Sequence, residues 1–229
     1  MARYIGPVCK VCRREGVKLF LKGERCSTKC VIDKTHGGAA LPPGQHAHRR
    51  AGKPTEYSKR LREKQKARRL SGVLERQFRR YFKVASGQKG NTGENLLRIL
   101  ETRLDNVVRR LGFAASLAGA RQQVLHGHVH VNGRCINIPS YQTKPGDRIS
   151  LIDRLRGNFY VKRSLEHAVQ RGLPTWLELE GNLAEVVKKS SEAGALEGVA
   201  LAGKVNMWPA REEMSYPVNE QFIVELYSK

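Results

Sequence analysis

The stretch Gly127-His128-Val129-His130-Val131-Asn132-Gly133-Arg134-Cys135-Ile136-Asn137-Ile138 decides the fold class. Val129 and Val131 alternate with histidines, the period of a half-buried strand. Asn132-Gly133 follows at once, and both residue types accept the positive φ of a two-residue hairpin turn. Arg134 to Ile138 returns as the partner strand. Lys144-Pro145-Gly146-Asp147 spells a second turn, and Arg148 to Ile152 a third strand. Cys135 sits beside Ile136 and Ile138, so a core position is expected for it.

Upstream the period changes from 2 to 3.6. Leu97, Leu100, Leu104, Val107, Val108 and Leu111 recur at helical steps, predicting one helix capped by Thr92 and broken at Gly112-Phe113. Arg98, Arg103, Arg109 and Arg110 occupy its other face. Ser116 is placed to cap a shorter helix to about His126, with Gly127 supplying the left-handed residue at its end. Further upstream, residues 56–85 hold no proline and a single glycine, Gly72, predicting two helices that meet there. Helices beside short antiparallel strands make the chain α+β. Its expected divisions are a cysteine-rich metal-binding segment (1–45), a basic helical domain (46–96), a small module of two helices, hairpin and strand (97–160), and a C-terminal extension (161–229) packing back on the N-terminal domain.

Charge points to the partner. Lys and Arg total 42 against 21 acids, and residues 1–90 hold 24 basic and 6 acidic side chains. From Trp176 onward the balance reverses, 5 basic to 9 acidic. Self-repulsion this lopsided destabilises a compact fold unless a polyanion offsets it, and Arg pairs well with phosphate. The two basic helices carry Lys59, Arg60, Arg62, Lys64, Lys66, Arg68, Arg69, Arg76, Arg79, Arg80 and Lys83 against only Glu56, Glu63 and Glu75. A solvated helix face mixes signs to form i,i+4 pairs, so this excess predicts phosphate contact. Arg3, Arg13, Arg14, Lys22, Arg49 and Arg50 extend the expected nucleic-acid-binding set toward the N-terminus. Arg103, Arg109, Arg110, Arg121, His126, His128 and Arg134 supply it in the module. Tyr57, Tyr81 and Phe82 could stack on bases, but aromatic residues at helix ends are expected in the core.

Four cysteines fall within the first 30 residues: Cys9, Cys12, Cys26 and Cys30, as C-x2-C, 13 residues, then C-x3-C. Two short-spaced thiolate pairs across a loop suit a tetrahedral metal, and zinc is the expected ion. An iron–sulfur cluster takes the same ligand count and stays open. The first residues lack the apolar stretch of a signal peptide, and no run approaches the ~20 apolar residues of a bilayer span. A soluble, cytoplasmic chain is expected, without membrane or small-molecule substrate. No P-loop, Gly-x-Ser-x-Gly or His-Glu-x-x-His occurs, so no enzyme is expected. A metal-finger DNA regulator would place a helix after its last cysteine, where this chain runs Gly37-Gly38 and Pro42-Pro43-Gly44.

The run Glu101-Thr102-Arg103-Leu104-Asp105-Asn106-Val107-Val108, then Arg110-Leu111-Gly112-Phe113-Ala114, Ala120-Arg121-Gln122 and His126-Gly127-His128, resembles the small RNA-binding module of the small-subunit ribosomal protein four family. Val131-Asn132-Gly133, Ile138-Pro139-Ser140-Tyr141 and Lys144-Pro145-Gly146-Asp147 continue it. Tyr4 to Cys9, Leu21 to Cys26, Pro42 to His46, Leu61 to Lys66, Gln77-Phe78-Arg79 and Pro217 to Glu225 extend the likeness to both ends. The resemblance implies an early ribosomal-RNA-binding protein of the small subunit that nucleates assembly. It also implies a place by the messenger RNA entry channel, contact with ribosomal protein five, and an effect on decoding accuracy. Three features depart from the pattern. The last thiol pair is C-x3-C where four-cysteine members carry C-x4-C. Leu117 and Leu125 stand where basic residues are common, which puts weight on Arg121, His126, His128 and Arg134. Residues 178–204 are longer and richer in Gly and Ala, and read as a surface insertion.

Overall fold

A computed structural model of the chain describes residues 3–34, 41–45, 53–155, 158–180, 201–214 and 216–228. Gly37, Gly38, His46, Arg49, Arg50 and most of the 178–204 segment lie outside the described residues. The chain forms two units, Met1–Leu97 with Ser215–Lys229, and Arg98–Met214.

In the first unit, α1 (Val8–Glu15) and α2 (Arg25–Thr28) flank a loop whose Leu19 is fully buried with Val11 and Cys12. The expected basic helices are present and separate at Gly72, which adopts φ +61°: α3 is Glu56–Leu70 and α4 is Glu75–Ser86. Thr55 caps α3, its hydroxyl accepting from the Ser58 N–H at 3.2 Å. Only Lys64 and Ala67 of α3 are buried, with Leu70 packing from its end on Val11, Cys12 and Leu19. A helix this poor in buried apolar side chains needs polar partners, and α3 finds them on three sides. Glu15 of α1, Glu75 of α4, and Asn219 and Glu225 of the C-terminal helix segment all bond to it. That C-terminal helix runs Glu220–Tyr227. α4 packs conventionally, with Phe78, Tyr81 and Ala85 buried, and Phe82 tilts against Tyr227 with ring centroids 4.7 Å apart. Tyr57, in the first turn of α3, is exposed rather than core.

The single helix expected across residues 92–111 is two, α5 (Thr92–Glu101) and α6 (Leu104–Arg110). The cause is non-local. Residues 139–143 run alongside the break: Leu104 N–H donates to the Tyr141 carbonyl at 2.8 Å, Asp105 N–H to Pro139 at 3.2 Å, and Thr143 N–H to Thr102 at 2.9 Å. Backbone groups that would continue the helix are spent on this segment. The cap also moves by one residue: Thr92 is already helical, and Asn91 accepts from the Gly93 N–H at 2.9 Å.

In the second unit, Ser116 caps α7 (Leu117–Leu125) as expected. Strands β1 (Val129–Val131) and β2 (Arg134–Cys135) form the hairpin, with Asn132 at φ +51° and Gly133 at +79°. β3 (Arg148–Leu151) pairs with β1, Val131 opposite Ile149. The returning strand stops at Cys135 rather than Ile138. Cys135 is exposed, not core, because its two-residue strand is the sheet edge; its thiol donates to the Gly127 carbonyl at 3.3 Å.

The region after residue 160 differs most from expectation. Helix α8 (Phe159–Arg171) and strands β4 (Leu177–Leu179) and β5 (Ala202–Val205) belong to the second unit, whereas residues 216–228 belong to the first. Both ends of the supposed insertion are therefore sheet. The antiparallel order is β2-β1-β3-β5-β4, with Ile149 opposite Gly203 and Glu178 opposite Lys204. Leu104, Val108, Leu111 and Phe113 meet Val129, Ile149, Leu165 and Trp176 in one core. Each such side chain removed from water contributes about 1.5–3 kcal/mol.

Candidate nucleic-acid interface

The expected RNA-binding cations separate into those spent inside the protein and those left outside. Along α3, Lys59 pairs with Glu56, Lys66 with Glu63 and Arg60 with Glu225, at 2.6, 2.6 and 2.7 Å. Lys64 Nζ donates to both oxygens of Glu75 at 3.0 Å, and Arg68 stands 3.6 Å from the same carboxylate. Arg69 and Arg62 both engage Glu15, whose side chain is wholly buried. Arg13 donates to the carbonyls of Leu41 and Pro42, tying those residues to α1.

Two of the module's expected RNA-binding cations are drawn inside the protein. Arg103 and Arg121 are buried, and both face Asp105, Arg103 as a two-bond fork and Arg121 at 3.5 Å. Their pairing with Asp105 ties the α5–α6 break to α7. Arg110 is likewise drawn onto Glu101, at 2.5 and 3.2 Å. Arg109 is half-buried.

What remains outside is concentrated on α4. Arg76, Arg79, Arg80 and Lys83 are all exposed and stand at steps of 3, 1 and 3, one helical face opposite Phe78, Tyr81 and Ala85. Arg79 reaches back to Glu75 at 3.5 Å. Arg76, Arg80 and Lys83 have no carboxylate partner among the described residues. In the second unit, Arg134 is exposed at the hairpin, and the rings of His126 and His128 meet edge to face at 5.7 Å. Arg3, Arg14 and Lys22 are exposed in the N-terminal segment.

Cys9 and Cys12 lie one turn apart on α1, Cys26 lies on α2, and Cys30 follows it. Burial pushes the Cys12 thiol above its ordinary range, and charge on Cys26, Cys9 and Cys30 adds to it, while the Leu19 backbone N–H works the other way. The Lys22 N–H donates to Cys26 Sγ at 3.3 Å. The four thiols thus share one neighbourhood, although no three Cys, His, Asp or Glu side chains among the described residues stand close enough to hold an ion.

A family profile for the ribosomal protein S4/S9 N-terminal domain matches residues 3–101, and an S4 domain profile matches residues 102–149. The small ribosomal subunit protein uS4 of Natranaerobius thermophilus is 52% identical to the chain over the full length of both. The uS4 protein of Thermus thermophilus is 48% identical and the uS4A protein of Symbiobacterium thermophilum 53%, again over both full lengths. The chain belongs to the uS4 family of small-ribosomal-subunit proteins. The resemblance read from the module and the terminal motifs is confirmed. The uS4 profiles meet at Glu101-Thr102, the point where α5 gives way to the Arg103–Asp105 fork. No helix among the described residues is long and apolar enough to cross a membrane.

Proposed function

We propose that the chain is an RNA-binding structural constituent of the small ribosomal subunit and grips folded ribosomal RNA chiefly through α4. The observation that carries this reading is the face formed by Arg76, Arg79, Arg80 and Lys83. The seven residue steps from Arg76 to Lys83 advance about 10 Å, so four cations meet a phosphate backbone within a short span. Arg134 and the His126–His128 pair give the second unit its own contact. Recognition by phosphate placement and RNA shape, rather than by base edges, suits such a surface. The internal pairs of α3 serve this face indirectly, because they fix the helix beside which α4 lies.

Membership of the family supports the wider role: early binding to ribosomal RNA, nucleation of subunit assembly, contact with ribosomal protein five, and a position at the messenger entry region that affects accuracy. Cys9, Cys12, Cys26 and Cys30 are proposed as the ligand set for a zinc ion, whose binding would have to draw the thiols closer together than they stand here. Their shared neighbourhood and the backbone N–H groups directed at Cys12 and Cys26 fit thiolates held by a cation. Zinc supplies charge neutralisation and a staple for a segment with little core.

The test is binding of the full chain to a small-subunit ribosomal RNA transcript across a salt series. If about 6–8 phosphates are neutralised, log affinity falls with log salt at a slope of roughly −4 to −7. A slope near zero overturns the electrostatic grip.

A further inference from the structure

Two residues other than glycine adopt a left-handed backbone among the described residues, Asn132 at φ +51° and Phe20 at φ +49°. Asn132 belongs there, since asparagine tolerates that region and the hairpin turn requires it. A bulky side chain in that region is disfavoured and calls for a reason. Burial is not the reason for Phe20. Its neighbour Leu19 is fully buried and Leu21 packs on the same small core, but Phe20 itself is 51% exposed.

The loop is fixed at both ends. The Leu19 N–H is directed at Cys12 and the Lys22 N–H at Cys26. Between these anchors the backbone turns the ring outward, away from Leu19 and Leu21. Glycine or asparagine would make the same turn with less strain. The surroundings are cationic: Lys22 follows two residues later, and Arg25 and Lys29 stand on and just after α2, all exposed. Lys18 is paired with Asp33 at 2.5 Å and contributes less. An outward aromatic ring among exposed cations is the arrangement by which proteins hold unpaired nucleotides, the ring stacking on a base while the cations meet its phosphates.

We infer that Phe20 is a base-stacking residue, held out of the thiol loop to receive one unpaired nucleotide of the bound RNA. This rests on the RNA-binding reading above and adds to it a contact that phosphate chemistry does not supply. Stacking is sequence-tolerant and independent of salt to first order, which separates it from the α4 grip.

The experiment compares the full chain with Phe20→Asn and Phe20→Tyr in binding the small-subunit ribosomal RNA transcript across a salt series. Phe20→Asn relieves the backbone and should melt no lower than the parent, yet bind roughly five- to a hundredfold more weakly with an unchanged salt slope. Phe20→Tyr should bind like the parent. Equal affinity of parent and Phe20→Asn overturns the inference while leaving the RNA reading intact. If the parent itself fails to bind, the RNA reading fails instead. Equal RNA affinity combined with poor incorporation into subunits would assign the ring to a protein neighbour, which also overturns it.

Discussion

Arg103 and Asp105 form a buried fork, Nε 3.0 Å from Oδ1 and Nη2 2.6 Å from Oδ2, with side chains 3% and 1% exposed. Asp105 sits in the first turn of α6, where the helix N-terminus favours negative charge. Replacing it by Asn would leave Arg103 and Arg121 buried without their counter-charge. Asp105→Asn should therefore cost about 3–5 kcal/mol, read by urea denaturation followed through Trp176 fluorescence. A loss under about 1 kcal/mol, the range of a solvated pair, would show that water reaches the fork.

Gly112 ends α6 at φ +85°, and a Cβ there would lie 2.4 Å from the Ala168 Cβ. Gly112→Ala carries about 1–2 kcal/mol of backbone cost before that clash is relieved. Because the clash is with α8, the variant should unfold at lower urea and expose Trp176 early. Wild-type stability would mean that α8 shifts freely.

Much of this architecture was legible in the sequence because its signals are local. The Gly72 break between α3 and α4, the Ser116 cap and the Asn132-Gly133 turn each sit within a few residues of what they specify. The break at Thr102-Arg103 was not, since residues 139–143 impose it from 40 residues away. The same limit hid the fate of the α3 cations. Lys59 and Lys66 have carboxylates three residues away, but Glu15 and Glu225, which take Arg62, Arg69 and Arg60, lie far off in sequence, and Asp105 sits two residues from Arg103, a spacing at which helical side chains do not face each other. Counting charge along a helix does not tell which cations are paired inside the protein and which stay outside. Strands β4 and β5 are three and four residues long, too short to announce themselves beside a glycine-rich segment.

Arg69→Ala and Arg80→Ala should separate structure from binding. Arg69 neutralises Glu15, which is buried, so its loss should lower stability by about 3–5 kcal/mol. Arg80 is exposed and without a carboxylate partner, so its loss should leave the denaturation midpoint unchanged while flattening the salt slope by about 0.7–0.9. Equal effects of both substitutions on binding of the folded chain would return α3 to the grip.

Glu75 and Tyr227 make the first unit sensitive to pH at both extremes. Burial works against ionisation of Glu75, but hydrogen bonds from Lys64 and Tyr227 outweigh it and hold the carboxyl below its ordinary 4.5. A depressed carboxyl stabilises the fold above its unfolded pKa, and the contribution is lost as pH falls through the folded value. Tyr227 is raised above its ordinary 10.0, first by burial and then by its hydrogen bond to Glu75. Its contribution is complete below the unfolded value and lost as pH rises through the folded one. Stability profiles should show the acid limb flattened in Glu75→Gln and the alkaline limb flattened in Tyr227→Phe. Parent-like limbs in both variants would detach the C-terminal helix from this linkage.

Cys9→Ser tests the zinc reading, with Cys135→Ser as its control. The parent, purified from zinc-supplemented cells, should carry about one zinc per chain, as a four-thiolate site requires. Cys9→Ser removes a ligand from α1 and should abolish that stoichiometry, whereas Cys135 is exposed in the other unit and should not matter. Because metal binding and folding are coupled in a segment this poor in core, the loss should also open it to trypsin at Arg14, Lys22 and Arg25 while α4 stays resistant. Iron with visible absorption would put a cluster in the site instead. A parent chain that holds no metal yet resists trypsin equally would show that Val11, Leu19 and the α3 pairs suffice to fold the segment, and that the thiols are there for another reason.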